Sequence, residues 1–72
     1  MVLFGGFMEI SLNGKKIISN STTLLRLISE TGFDTQSLIA EVNFEVIKEE
    51  NWSDTTIKDG DQIELLSFVG GG

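Results

Sequence analysis

Alternation of apolar and polar residues marks the first regular segment of the chain. Residues 8–12 (Met-Glu-Ile-Ser-Leu) follow the period-2 pattern of a strand with one face in a core. Asn13-Gly14 comes next, and both residues tolerate the positive φ that a two-residue hairpin turn requires. Residues 15–19 then provide a return strand. The pattern predicts a β-hairpin in which the three apolar residues of the first strand face the core.

The spacing changes to that of an amphipathic helix in the next segment. Apolar residues recur there at i, i+3 and i+4, with one further leucine that widens the stripe: Leu24, Leu25, Leu27 and Ile28. Polar residues 20–23 offer N-caps for the first turn, and Gly32 suits a left-handed cap at the end. We predict a helix of roughly three turns whose leucine face packs on the sheet.

The remaining residues predict further strands. Residues 38–42 alternate, and the less regular segment 43–51 has room for a short strand. Asp59-Gly60-Asp61 forms a turn before a last strand at residues 62–68. Trp52 is interpreted as a structural residue that closes the end of a small core, rather than as a ligand-binding residue. The element order ββαββ predicts an α+β fold in which the sheet packs on one main helix.

The outward face of the last predicted strand changes from polar to apolar before its end. Gln62 and Glu64 are followed on this face by Leu66 and Phe68. Ile39 likewise lies on the face of its strand that is opposite to the core residues. An exposed apolar patch beside a flexible tail predicts a docking surface for a partner. The alternative is that a loop or the N-terminal segment covers the patch.

Phe68-Val69-Gly70-Gly71-Gly72 ends the sequence. Consecutive glycines lose much backbone entropy on ordering, so this ending predicts a flexible tail. The three glycines span roughly 10 Å when extended, and they have no side chains to obstruct a narrow channel. The pattern favours a terminus that an enzyme draws in and activates at the Gly72 carboxylate. The alternative is a frayed end or a linker without function.

Composition narrows the chemistry that the chain can perform. The 72 residues are 40% hydrophobic, which predicts one globular domain with a small core. The sequence contains no Cys and no His, so we expect no disulfide, no catalytic residues and no metal site. The net charge of −6 disfavours nucleic acid and anionic membranes as partners, and it favours a basic protein groove.

The first seven residues are apolar and are interrupted by Gly5-Gly6. They resemble neither a secretory signal nor a membrane span, so the expected compartment is the cytoplasm. We interpret residues 1–7 as an N-terminal extension of unclear origin, residues 8–69 as the folded domain and residues 70–72 as the flexible tail.

Several short motifs spread over residues 8–72 carry family information. The most specific is Asp59-Gly60-Asp61-Gln62-Ile63-Glu64 followed by Phe68-Val69-Gly70-Gly71-Gly72. Weaker ones are the opening from Met8 to Gly14, the pair Leu24-Leu25, Asn43 and Trp52. Together they resemble the ubiquitin-like β-grasp sulfur carriers of the ThiS family, which implies a mixed sheet in the β-grasp arrangement. Two features depart from the family pattern: the extension at residues 1–7, and Ile47 where these carriers often have proline.

The resemblance implies a function for the tail. A ThiF-like adenylyltransferase would use ATP to adenylate the Gly72 carboxylate, and sulfur from a cysteine desulfurase would convert it to a thiocarboxylate. Thiazole synthase ThiG would then take the sulfur for the thiazole of thiamine. Gly70 and Gly71 would pass through the channel of the partner. The residues expected to dock the body are Ile39, Leu66, Phe68 and Val69. The chain would bind no cofactor and would act as a co-substrate rather than as an enzyme.

The same resemblance leaves alternatives open. The small subunit of molybdopterin synthase shares the fold and the Gly-Gly end but acts as a stable enzyme subunit. A ubiquitin-like modifier or a tRNA-thiolation carrier uses the same terminus. A β-grasp interaction module would have an inert tail. Removal of Gly71 and Gly72 separates the last alternative from the others, because only the carrier and modifier functions require the terminus.

Overall fold

Five strands and one α-helix form the part of the chain that the computed structural model describes, residues 6–68. The elements, in chain order, are β1 (Met8–Leu12), β2 (Lys15–Ser19), α1 (Leu24–Thr31), β3 (Leu38–Val42), β4 (Glu45–Ile47) and β5 (Gln62–Ser67). Two short 3-10 helices, Thr35–Ser37 and Glu49–Asp54, lie before β3 and after β4. No helix in this part of the chain has the length and apolar character needed for a membrane span. The predicted α+β fold with one main helix is confirmed.

β5 lies at the centre of a mixed sheet with the strand order β2-β1-β5-β3-β4. It runs parallel to β1 and antiparallel to β3. Ile63 and Leu65 are buried, whereas the residues between and after them are exposed. The strand therefore supplies one face to the core and the other to solvent, as its alternation predicts. It ends at Ser67, one residue earlier than the sequence pattern suggests.

β1 and β2 form the predicted hairpin. The turn residues Asn13 and Gly14 adopt φ values of 51° and 81°, as a two-residue hairpin turn requires. Ile10 is fully buried, and Met8 and Leu12 are partly buried against the same core. The predicted core face of the first strand is confirmed.

Helix α1 presents a narrower apolar face to the core than the spacing predicts. Leu24, Leu27 and Ile28 are buried, but 43% of Leu25 is exposed. Successive helical residues lie about 100° apart around the axis, so Leu25 turns away from the buried face that Leu24 occupies. The prediction that Leu25 widens the buried stripe is therefore wrong.

Both ends of α1 are capped as predicted. The Thr23 hydroxyl oxygen accepts a hydrogen bond from the Arg26 N–H at 3.2 Å, and Gly32 adopts a left-handed φ of 81°. The Thr31 hydroxyl donates to the Ile28 carbonyl oxygen at 2.6 Å, which satisfies a carbonyl group of the last turn. The helix has 8 residues, about two turns rather than three, because it begins only at Leu24, after Thr23, the last of the N-cap candidates.

Trp52 closes one end of the core, as predicted. It is fully buried, and the 3-10 helix that carries it packs against α1. Its indole N–H donates to the Ile47 carbonyl oxygen at 2.9 Å. A buried tryptophan whose polar group has a partner is a structural residue that stabilises the core.

Two asparagine side chains complete the hydrogen bonding of β5. The Asn13 Oδ1 accepts from the Leu65 N–H at 2.7 Å, and its Nδ2 donates to the Leu65 carbonyl oxygen at 3.1 Å. β1 ends at Leu12, so it offers no backbone partner to Leu65. The side-chain amide of Asn13 takes the place of that backbone partner. Asn43 follows β3 in the same way, and its Oδ1 accepts from the Gln62 N–H at 2.9 Å. β5 is held at its start by Asn43 and further along by Asn13.

The variant Asn13→Gly tests how much this side chain stabilises the fold. Glycine keeps the positive φ of the turn but removes both hydrogen bonds to Leu65, so backbone groups of the central strand lose their partners. We expect the free energy of unfolding to fall by about 1–3 kcal/mol in a urea titration. The control is Asn20→Gly, which introduces a glycine at an exposed position after β2. An equal loss in the two variants would contradict the role of Asn13.

Candidate functional site at the end of the central strand

Three of the predicted docking residues share one face of the sheet where β5 ends. Ile39 on β3 lies directly opposite Leu66 on β5, and Phe68 follows Leu66 by two residues. All three side chains are exposed, Leu66 by 61% and Phe68 by 50%. We call Ile39, Leu66 and Phe68 the tail-root patch. The alternation predicts that these residues face outward, and the register of β3 and β5 brings them together. Their role in docking stays a prediction.

The other predicted site residues lie outside the described part of the chain. They are Val69, Gly70, Gly71 and Gly72. Their roles in docking, in passage through a channel and in carrying sulfur stay predictions.

The backbone of Phe68 anchors the start of the tail to the sheet. Its N–H donates to the Ser37 carbonyl oxygen at 2.9 Å, one step beyond the last strand pair, Leu38 with Ser67. Hydrogen bonding along this edge therefore continues past the last strand pair, from Ser37 just before β3 to Phe68 just after β5. Phe68, the last described residue, is consequently held at a fixed position within the tail-root patch.

Two further exposed apolar residues were not singled out by the sequence pattern. Val46 on β4 lies opposite Glu41 and is exposed, and Phe44 in the preceding turn is also exposed. The burial of Ala40 opposite Ile47 shows that the neighbouring Val46 faces outward. The outward orientation of Val46 could have been predicted from the sequence, because Val46 and Ile47 are neighbours in a strand and must lie on opposite faces. No glycine marks the turn, so the exposure of Phe44 has no comparable sequence signal.

Acidic side chains lie next to the apolar residues on the outward face. Glu41 and Glu64 are directly opposite each other, two residues from Ile39 and Leu66 respectively. Like charges in this arrangement repel. The ion pairs among the described residues involve other carboxylates: Lys16–Glu9 at 4.0 Å and Arg26–Glu30 at 3.5 Å. A basic side chain of a partner beside the tail-root patch would reduce the repulsion.

A cleft of about 220 Å³ lies elsewhere on the molecule, between β2 and α1. Its lining is mainly apolar and includes Phe7, Ile17 and Leu27, but none of the tail-root patch. The cleft is thus separate from the candidate site.

Within residues 6–68, no three Asp or Glu side chains are grouped so that they could hold a metal ion.

Known proteins of similar sequence include a sulfur carrier and a thiazole synthase. The sequence profile of the ThiS family matches residues 1–72. The sulfur carrier protein ThiS of Bacillus subtilis is 32% identical over 65 residues, which cover 88% of this chain and 98% of that protein. A thiazole synthase of Paramagnetospirillum magneticum is 32% identical over 66 residues, or 90% of this chain. The chain spans only 20% of the length of that thiazole synthase.

A solved structure has the same fold. The crystal structure of the thiamine biosynthesis protein ThiS from Geobacter metallireducens superimposes with a TM-score of 0.78 at 33% identity. The superposition covers 90% of this chain and 100% of that chain. The predicted ubiquitin-like β-grasp fold is confirmed, and so is the prediction of a thiamine sulfur carrier rather than an enzyme. Because the family profile matches the whole sequence, the chain belongs to the ThiS family.

Proposed function

We propose that the chain serves thiamine biosynthesis by carrying sulfur as a thiocarboxylate at Gly72. The observation that carries the proposal is the geometry at the end of β5. Phe68 is anchored to the sheet by its N–H, and the exposed tail-root patch lies beside it. An exposed apolar surface therefore lies just before the point where the sequence turns to glycine, which supports a docking role for it. Membership of the ThiS family supports sulfur as the cargo.

Activation is required because a carboxylate is a poor acyl donor, whose substitution would expel an oxide. In the proposed reaction, an oxygen of the Gly72 carboxylate attacks the α-phosphorus of ATP and pyrophosphate leaves. The desulfurase converts cysteine to alanine and keeps the sulfur as a persulfide, whose terminal sulfur attacks the carbonyl carbon and displaces AMP. A thiol reductant then cleaves the resulting acyl disulfide and is itself oxidised to a disulfide. The product is a thiocarboxylate. The sequence contains no cysteine, so the terminus takes the place of a side-chain persulfide as the sulfur-bearing group.

Docking of the body and chemistry at the terminus take place at separate positions. Leu66 and Phe68 bind an apolar pocket of the partner, while residues 69–72 cover the distance to the reacting carbon. Four extended residues reach at most about 14 Å. Gly70 and Gly71 add no side chains, so a channel can close around their backbone and exclude water from the acyl-adenylate.

The proposed partners are a ThiF-like adenylyltransferase, a cysteine desulfurase as the source of sulfur, and a ThiG-type thiazole synthase. The last is supported by the Paramagnetospirillum magneticum thiazole synthase, which contains a segment similar to this chain. Transfer of the sulfur regenerates the Gly72 carboxylate, so the chain is a recycled co-substrate. We propose the cytoplasm as the compartment, because the adenylation step consumes ATP.

Intact mass measurement tests the cargo. The protein is incubated with ATP, cysteine, a desulfurase, a thiol reductant and the adenylyltransferase of its own organism. We expect a species that is heavier by the difference between sulfur and oxygen, with the change localised to Gly72 by fragmentation. A reaction without ATP is the control. A protein that keeps only its carboxylate under the complete conditions would contradict the proposal.

The variant Gly71→Val tests the channel. A branched side chain at this position cannot enter a passage that fits only backbone, so we expect the rate of adenylation, followed by pyrophosphate release, to fall at least about 100-fold. The free energy of unfolding should stay within about 0.5 kcal/mol of the wild type, since the sequence predicts residue 71 in the tail rather than in the folded domain. Ser53→Val, at an exposed position of the body, is the matched control. Normal adenylation of Gly71→Val would show that the channel is not narrow.

The variant Phe68→Asp tests the tail-root patch. Loss of an exposed apolar contact should weaken binding to the adenylyltransferase at least about tenfold, measured by titration calorimetry. The free energy of unfolding should change by less than about 0.5 kcal/mol, because half of the side chain is already in solvent. Ile18→Asp, which replaces an exposed apolar residue on β2, is the matched control. An unfolded Phe68→Asp variant would instead assign Phe68 to the core.

A further inference from the structure

The turn between β3 and β4 places a phenylalanine on a backbone that disfavours it. Phe44 adopts a φ of 70°, in the left-handed region that bulky side chains rarely occupy. Its side chain is 81% exposed, so it gains little stabilisation from burial. A strained residue that contributes little to packing is a reason to look for a contact outside the chain.

The first hairpin of the same sheet shows what this turn requires. Asn13-Gly14 adopts φ values of 51° and 81°, and Asn43-Phe44 adopts 52° and 70°. In both turns the asparagine Oδ1 accepts a hydrogen bond from a backbone N–H of β5. The donor is Leu65 for Asn13 and Gln62 for Asn43. The two turns therefore differ at their second position, where one has glycine and the other phenylalanine. The fold requires the asparagines for their hydrogen bonds to β5. The second position requires only a positive φ, which glycine adopts readily.

Phe44 lies at the opposite end of β5 from the tail. Val42, just before the turn, pairs with Ile63 at the start of β5, whereas Ser67 at its end pairs with Leu38. Ile63 and Ser67 are four residue steps apart along the strand, a distance of roughly 13 Å. A partner that contacts both Phe44 and the tail-root patch must therefore lie along the length of β5.

The surface between these two ends suits a partner of defined chemistry. Val46 provides an exposed apolar side chain on β4. On the same outward face of the sheet, Glu41 lies opposite Val46 on β4 and opposite Glu64 on β5. Together with the net charge of −6, this arrangement complements an apolar pocket with lysine or arginine at its rim.

We propose that Phe44 is a second docking residue, which binds thiazole synthase in an apolar pocket bordered by basic side chains. The inference rests on the proposed function, and it adds a contact far from the tail. Thiazole synthase is chosen as the partner because a protein of that name contains a segment similar to this chain. Phe44 positions the carrier and takes no part in the chemistry at Gly72.

The variant Phe44→Gly tests the inference, because it gives the second turn the Asn-Gly sequence of the first. The full chain is titrated with the thiazole synthase of its own organism. We expect the dissociation constant to rise at least about tenfold, while the melting temperature stays equal to or above that of the wild type. Phe44→Tyr keeps the aromatic ring and should bind like the wild type. Ile18→Thr, at an exposed site on β2, is the matched control and should also bind like the wild type.

The outcomes separate this inference from the proposed function. If the wild type gains sulfur at Gly72 and binds the synthase, and Phe44→Gly binds equally well, the second docking residue is refuted while the carrier function stands. A marked drop in the melting temperature of Phe44→Gly would show that Phe44 supports the fold, and would refute the inference as well. If the wild type neither gains sulfur nor binds the synthase, the proposed function and the inference both fall.

Discussion

The position of β5 between two other strands is the constraint on which the rest of the structure depends. A central strand needs hydrogen-bond partners along both edges. The chain supplies them from β1, from β3 and from the side-chain amides of Asn13 and Asn43. Both asparagines adopt positive φ in turns, a conformation that asparagine tolerates better than most residues. The residues that reverse the chain are thus the same residues that hold its central strand.

This arrangement joins the central strand to the terminus that we propose as the carrier of sulfur. Ile63 and Leu65 place one face of β5 in the core, and Leu66 leaves the other face available for a partner. An exposed apolar surface favours self-association, and the net charge of −6 opposes it through repulsion between copies. The same negative charge selects for partners with basic surfaces. Docking and solubility therefore depend on the same distribution of charge.

Features that depend on neighbouring residues could be predicted from the sequence. The Asn13-Gly14 hairpin and the Gly32 helix end are examples, because the backbone preference of these residues determines the local geometry. The apolar identity of the tail-root patch also followed from alternation. The contact between Ile39 and Leu66 required the register of β3 and β5, which no local pattern encodes.

Other features depend on residues that are distant in the sequence. Asn13 and Leu65 are 52 residues apart, so the hydrogen bonds that complete β5 could not be read from either segment. Leu25 fits an apolar stripe, yet the orientation of α1 on the sheet leaves it in solvent. The turn at Phe44 lacks the usual glycine, and its positive φ arises from the strands on either side together with the Asn43 contact.

The central place of β5 also determines how the protein responds to force. A partner that grips the terminus pulls along the axis of β5, so the ladders to β1 and β3 are strained in shear. Hydrogen bonds in shear resist together, whereas those of a peeled edge strand break one after another. If the terminus is drawn into enzymes as we propose, this geometry protects the domain against unfolding from that end. An unfoldase that begins at the glycines would load the central strand in shear, rather than peel an edge strand, at its first step.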